Sequence, residues 1–382
     1  MKSRNTLRLV GSILVATAGL SAVACSSSHT ESGGTNNDKN GFNPNLGNDA
    51  GKQNCGASSL QANPRPVNVV IVLDRSASMD TALSATEPTT RWQAMREALK
   101  TALSAVEDKV AFGLKLFPDS SQDCAVTQPG LAVNLAVGSS SVADIDQAIA
   151  AATPGGGTPI AEALKQVDDY FTTGAGANLE GDRVVLLATD GAPNCNSAVT
   201  CDSAACIPNI EHPMVDPSIN MCQGDPGQCL DDTRAEQQVK ALIAHGVKTA
   251  VVGIPGTEYT QYKTILDKLG TAGGLSNPDP NFDYFPVSAA SGVAGLESTL
   301  ANITANLIVS CRLQLTSEPP EMGLLNVVID NNTVPQASTD GWSIDASTSP
   351  PTVVLSGTTC DYMEQHGAQS VNITYGCPTV VN

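Results

Sequence analysis

Residues 68–79 read "NVVIVLDRSASM", an unbroken run of apolar β-formers that stops at an acid and continues with serines at alternate positions. A strand that is apolar on both sides is buried on both sides, the habit of a central strand in a parallel sheet. Such a sheet needs helices on both faces, so apolar and amphipathic segments should alternate along the chain. Downstream of "NPRP" they do. "VNVVIVL" (67–73), "KVAFGLKLF", "DRVVLLAT", "VKTAVVGI" and the short "FDYFPV" read as strands. "RWQAMREALKTALSAV" (91–106), "SVADIDQAIAAA", "TPIAEALKQVDDYF", "DTRAEQQVKALIAHG", "EYTQYKTILDKLG" and "VAGLESTLANITANLI" read as helices. In the first of these, Trp92, Met95, Leu99, Ala102 and Leu103 lie close to one face. The pattern predicts an α/β fold with a doubly wound, mostly parallel sheet over residues 63–308.

Two intervals break the rhythm. Residues 192–230 carry five cysteines, several Pro and Asn and no periodicity, which reads as a disulfide-stapled insertion. Residues 309–382 change to short strand-like runs, "LLNVVID", "TVVLSG" and "SVNITYG", separated by turn-rich segments such as "DNNTVPQASTDGW", and predict a small β-rich module.

The first 24 residues read as a signal peptide. Lys2, Arg4 and Arg8 form a positive region, "LVGSILVATAGL" an apolar one, and "SAVAC" runs in small residues up to Cys25. This ending resembles the bacterial lipobox, with Ala22 where that motif most often has Leu; the resemblance implies a lipid on Cys25. The alternative is ordinary secretion with cleavage after Ala24. Ser26 in place of Asp implies, by the same resemblance, passage to the outer membrane or cell surface. Residues 25–62 are almost devoid of apolar side chains over most of their length and read as a flexible tether, since they have little to bury against the entropy of ordering.

Acidic residues outnumber basic ones 38 to 20, a net charge of −18, which argues against a nucleic-acid partner. Of eleven cysteines, setting Cys25 aside leaves ten: Cys55, Cys124, Cys195, Cys201, Cys206, Cys222, Cys229, Cys311, Cys360 and Cys377. Behind a signal peptide, an even set implies up to five disulfides, whose pairing cannot be read from the sequence. Zinc is the competing reading for the cluster from Cys195 to Cys229, against which stands the lack of a C-x2-C knuckle.

The apolar run of the opening stretch ends in Asp74, Ser76 and Ser78. In an open α/β sheet, ligands bind outside the carboxyl ends of strands. Alternate positions there bring a carboxylate and two hydroxyls to one side. Oxygen donors without Cys or His suit magnesium, manganese or calcium. Further donors are expected at neighbouring strand ends, and two candidates stand there: Thr158 in "TPGGGTPIAEAL" and Asp190 in "VVLLATDGAPN". The competing readings are a helix cap for Ser76 and Ser78 and an ordinary turn for Asp190 and Gly191. Asp80 reads as a helix-start charge, and Asp202, Asp216, Asp225, Asp231 and Asp232 as solvated loop charges. His29, His212, His245 and His366 form no recognisable metal pair.

Together, D-x-S-x-S, G-G-T-P and a strand followed by T-D-G, in that order, resemble the von Willebrand factor A (VWA) domain and its metal-ion-dependent adhesion site (MIDAS). The resemblance implies a Rossmann-like VWA fold. It also implies that Ser76 and Ser78 bind a divalent cation directly, Thr158 directly or through water, and Asp74 and Asp190 mainly through water. The cation, Mg2+ first and Mn2+ or Ca2+ otherwise, would then receive an Asp or Glu side chain of a protein partner. No catalytic motif of a hydrolase, metalloprotease, nucleotide-binding loop or dinucleotide site is present, so the expectation is a non-enzymatic, lipid-anchored adhesion or ligand-binding protein. A periplasmic scaffold or assembly component docking through the same domain is the alternative. The insertion follows Asp190 and is expected to overhang the cation and shape the choice of partner.

Overall fold

The computed structural model describes residues 58–60, 62–119, 124–257, 259–308, 311–366 and 371–381. The signal segment, Cys25, most of the tether and Cys55 lie outside the described residues. Two short strands, β1 (Ser58–Leu60) and β2 (Ala62–Pro64), lead into β3 (Val67–Asp74), which is buried at every position. Because side chains alternate across a strand, β3 feeds two cores: Val67, Val69, Ile71 and Leu73 face one side, Val70 and Val72 the other.

The chain continues through α1 (Arg91–Ser104), β4 (Val110–Phe117), β5 (Val133–Ala136), α2 (Ser139–Ala151), α3 (Ile160–Thr172) and β6 (Asp182–Thr189). After the insertion, which holds the short α4 (Ile207–Glu211), come α5 (Asp232–Ala244), β7 (Val247–Gly253), α6 (Thr260–Gly273), β8 (Phe285–Pro286) and α7 (Gly292–Ile308). The strands form one sheet in the order β5-β4-β3-β6-β7-β8, parallel except for β5. The doubly wound, mostly parallel α/β sheet expected from the sequence is the fold. Helices α1, α2 and α7 cover one face through residues such as Met95, Leu99, Ile145 and Leu300. Helices α3, α5 and α6 cover the other through Leu164, Phe171, Val239 and Leu266. Thr90 and Gln93 start α1 with a reciprocal capping box, side chain to backbone in both directions. The edge strand β5 escaped the sequence reading because it has four residues, half of them exposed, and an irregular register with β4.

The remaining elements are β9 (Arg312–Leu315), β10 (Leu325–Ile329), β11 (Asn332–Val334), β12 (Gly341–Asp345), β13 (Thr352–Ser356), α8 (Thr358–His366) and β14 (Val371–Tyr375). They build two antiparallel sheets, β1-β14-β10-β11 and β12-β13-β9-β2, around Trp342, Leu325, Val327, Val353 and Ile373. The Trp342 indole N–H donates to the Val334 carbonyl at 3.0 Å, so the largest core side chain leaves no buried donor unmet. Here the structure differs from the sequence reading: residues 58–60, expected within the tether, and residues 62–64, expected at the boundary between the tether and the parallel-sheet domain, are strands of the β-rich unit, one in each sheet. Strands of three residues show no periodicity, and their partners lie at the far end of the chain. The turn-rich "DNNTVPQASTDGW" likewise contains β11 and the start of β12.

This β-rich unit meets the parallel sheet at the amino ends of its strands. The Arg65 N–H donates to the Arg312 carbonyl at 3.2 Å and the Asp182 N–H to the Pro66 carbonyl at 2.8 Å. The Asp182 carboxylate faces Arg65 at 3.8 Å and Arg312 at 3.9 Å. Four disulfides join described residues: Cys124–Cys195, Cys201–Cys229, Cys206–Cys222 and Cys311–Cys360; Cys377 is disulfide-bonded too. The insertion cysteines are thus taken up in disulfides rather than held free for zinc. Among the described residues, no helix is long and apolar enough to cross a membrane.

Candidate functional site

The chain runs outward from β3 through β4 to β5, then returns to place β6 on the other side of β3. That reversal opens a crevice at the carboxyl ends of β3 and β6, where ligands bind in sheets of this kind. Asp74 is the last residue of β3 and fully buried. Its Oδ1 accepts the Ser76 N–H at 2.8 Å, and its Oδ2 accepts the hydroxyl of Thr189, the last residue of β6, at 2.6 Å. The Ser76 and Ser78 hydroxyl oxygens are 3.0 Å apart, and the Ser78 hydroxyl donates to Asp190 Oδ1 at 2.8 Å. Asp74, Ser76, Ser78 and Asp190 therefore form one hydrogen-bonded chain across two loops. Ser76 precedes a 3-10 turn over Ala77–Asp80, yet its side chain makes no capping bond. The helix-cap reading of Ser76 is not what its hydroxyl does.

Thr158 arrives on a third loop. The Gly155 N–H donates to the Arg75 carbonyl at 2.8 Å and the Ala77 N–H to the Gly156 carbonyl at 3.1 Å, so the glycine loop lies alongside the serine loop. Thr158 is buried; its N–H donates to Asn194 Oδ1 at 2.7 Å and its carbonyl accepts the Asn194 N–H at 3.0 Å. Among the described residues its hydroxyl enters no hydrogen bond. The Cys124–Cys195 disulfide packs on the same loop. A Cβ at Gly157 would lie 2.4 Å from Cys195 Sγ, 2.8 Å from Cys124 Sγ and 2.9 Å from Asn194 Oδ1, so only glycine admits this approach.

Burial raises the Asp74 pKa to about 7, with the negative charge of Asp190 as the next cause; the Thr189 hydroxyl and the Ser76 N–H oppose it. Burial also raises the Asp190 pKa, opposed by the Arg91 guanidinium, whose Nη1 is 2.6 Å from Asp190 Oδ2. Among the described residues an ion pair reaches Asp190 from Arg91 and none reaches Asp74, so with both carboxylates ionised their charge would exceed that of the one guanidinium facing them. The donor set, two carboxylates and the hydroxyls of Ser76, Ser78 and Thr158, is all hard oxygen. On both counts these residues fit a hard divalent cation.

Elsewhere the sequence-singled groups are satisfied locally. Asp202 accepts the N–H groups of Ala204 and Ala205, Asp231 pairs with Arg234 and Asn196, and Asp232 lies 3.5 Å from Lys268. His245 Nδ1 is 2.6 Å from Asp168. The insertion is tied to the site at both ends: Asn194 grips Thr158, and the Asp231 N–H donates to the Pro193 carbonyl at 2.8 Å. Between them it displays exposed Met214, Ile219 and Met221.

Sequence reasoning missed Arg91, Thr189, Asn194, Gly157 and the Cys124–Cys195 bridge. Arg91 had a signal: a basic residue at the first position of a helix opposes the helix dipole. Asn194 and the bridge had none, since both depend on which loops meet in space.

Residues 69–192 match the family model of the von Willebrand factor type A domain. No curated protein matches the chain. Among solved structures it is similar to the pilus adhesin SpaC from Lactobacillus rhamnosus GG, at 16% identity over 83% of this chain and 40% of that one, with a TM-score of 0.45. It is similar to the vWF domain of the type V pili tip protein Mfa5 from Porphyromonas gingivalis, at 16% identity over 64% of this chain and 97% of that one, TM-score 0.40. It is also similar to the manganese-loaded TRAP protein of Plasmodium vivax, at 18% identity over 64% and 77%, TM-score 0.38. The chain spans less than two thirds of SpaC's length. By its family-model match, the chain carries a von Willebrand factor type A domain at residues 69–192.

Proposed function

We propose that this protein binds a partner through a divalent cation at the crevice between β3 and β6. Ser76, Ser78 and Thr158 would hold the ion with neutral hydroxyls, while Asp74 and Asp190 balance its charge from behind. When bound, the cation supplies a Lewis-acidic position open to an oxygen donor from outside, here an Asp or Glu side chain of a protein partner. The protein's own groups do the rest. Thr189 and the Ser76 N–H fix the two oxygens of Asp74, Asn194 fixes the Thr158 backbone, and Arg91 fixes Asp190. Neutral hydroxyls at the ion leave it able to attract a further carboxylate. The insertion beside Thr158 would supply the surrounding contact surface. The role is binding rather than catalysis, with Mg2+, Mn2+ or Ca2+ as the ion.

The hydrogen-bonded chain from Asp74 through Ser76 and Ser78 to Asp190 carries this reading, because it gathers residues from separate motifs into one oxygen-lined crevice. Disulfides through both sheet units support work in an oxidising, extracytoplasmic setting. We place the protein at the outer membrane or cell surface, held by a lipid on Cys25. The test is capture of surface or matrix proteins by the purified chain with and without EDTA. Capture should be lost on chelation and in Asp74→Ala, and restored to the unsubstituted chain by Mg2+ or Mn2+. Capture that survives both treatments would rule the cation bridge out.

A further inference from the structure

Arg91 stands at the first position of α1, where the helix dipole disfavours a cation, and no acid occupies that first turn to offset it. Its placement is explained by what it touches. Nη1 donates to Asp190 Oδ2 at 2.6 Å and reaches the Ser78 carbonyl at 3.4 Å, and the Asp190 side chain has no exposed surface. Gly256 makes the room: it has φ +129°, and a Cβ there would fall 2.6 Å from Arg91 Nη1 and 2.9 Å from Cζ. The Asp190 carboxylate is consequently divided, Oδ1 to the Ser78 hydroxyl and Oδ2 to Arg91.

Charge then decides what a loaded site would select. Among the described groups in contact at the site, two carboxylates and a divalent cation cancel, and Arg91 adds one positive charge in a largely buried setting. From this we propose, resting on the cation site described above, that Arg91 is a specificity-determining residue. It weakens the hold on the cation by repulsion and reserves the loaded site for an anionic group. Without it the loaded site would be neutral, hold the ion more tightly and lose its preference for a carboxylate.

The two effects have opposite signs, which a merely structural role would not produce. Wild type, Arg91→Gln, Arg91→Met and Arg91→Lys are titrated calorimetrically with Mn2+ at low ionic strength, where charge effects are least screened. Each Mn2+-loaded protein is then titrated with glutarate as a carboxylate probe, followed by water-proton relaxation. Removing the charge should tighten Mn2+ binding by about tenfold and weaken glutarate binding by about tenfold, the scale of one unit charge acting across a partly buried site. Arg91→Lys should stay near wild type in both. If the two neutral variants bind Mn2+ no more tightly than wild type, or lose both affinities together, the inference is overturned. If wild type itself binds no Mn2+, the proposed cation site fails, and that outcome is distinct from failure of the Arg91 role alone.

Discussion

At the scale of single residues, the site depends on groups placed by contact rather than by motif. Asp74, Ser76, Ser78, Thr158 and Asp190 were legible because each ends a strand or opens a loop in a recognisable pattern. The residues that hold them were not. Gly157 shows why: its lack of a side chain matters only because the Cys124–Cys195 sulfurs and Asn194 press on it, and nothing in "TPGGGTP" tells which glycine is pressed. In Gly157→Ala the new methyl group must displace a disulfide, which cannot swing aside as a flexible side chain can. The expected cost is about 1–3 kcal/mol of stability, as for overpacking elsewhere, measurable by urea unfolding. Since the adjoining residue is Thr158, cation affinity should fall as well. An alanine variant with unchanged stability and unchanged Mn2+ binding would show that the close packing at Gly157 is not needed.

At the scale of elements, the alternation of strands and helices was readable from β3 to α7, because burial on both faces forces near-continuous apolar strands and amphipathic helices. The exceptions are instructive. Strand β5 and the pair β1 and β2 are too short for a periodic signal, and the pairings of β1 and β2 are fixed by β14 and β9, remote in sequence. Disulfide pairing was equally hidden, and one pair has a consequence for the site. Cys124 follows β4 and Cys195 follows β6, so their bridge ties the loop after β4 to the loop after β6 and packs on the glycine loop that carries Thr158. Cys124→Ser with Cys195→Ser should lower stability by about 2–4 kcal/mol, the usual effect of removing such a cross-link. It should also weaken Mn2+ binding by about tenfold or more, the 10–100-fold cost of losing a group that supports the ligands. The matching pair of substitutions at Cys311 and Cys360, in the β-rich unit, should affect stability but leave Mn2+ affinity alone. Equal loss of cation affinity in both double variants would mean that the effect is global unfolding rather than positioning.

At the scale of the whole molecule, the β-rich unit joins the amino ends of the parallel strands and the candidate cation site lies at their carboxyl ends. Strands β1 and β2 belong to the β-rich unit. The site's location follows from the reversal of strand order at β3, so the fold and the proposed chemistry are consequences of the same stretch, residues 68–79, together with its two companions. The most direct test is calorimetric titration of the purified chain, freed of metal, with Mg2+ and Mn2+. One divalent ion should bind per chain, with binding abolished in Asp74→Ala and in Asp190→Ala while both variants stay folded. An unsubstituted chain that binds neither ion, or variants that bind as well as the parent, would contradict the account.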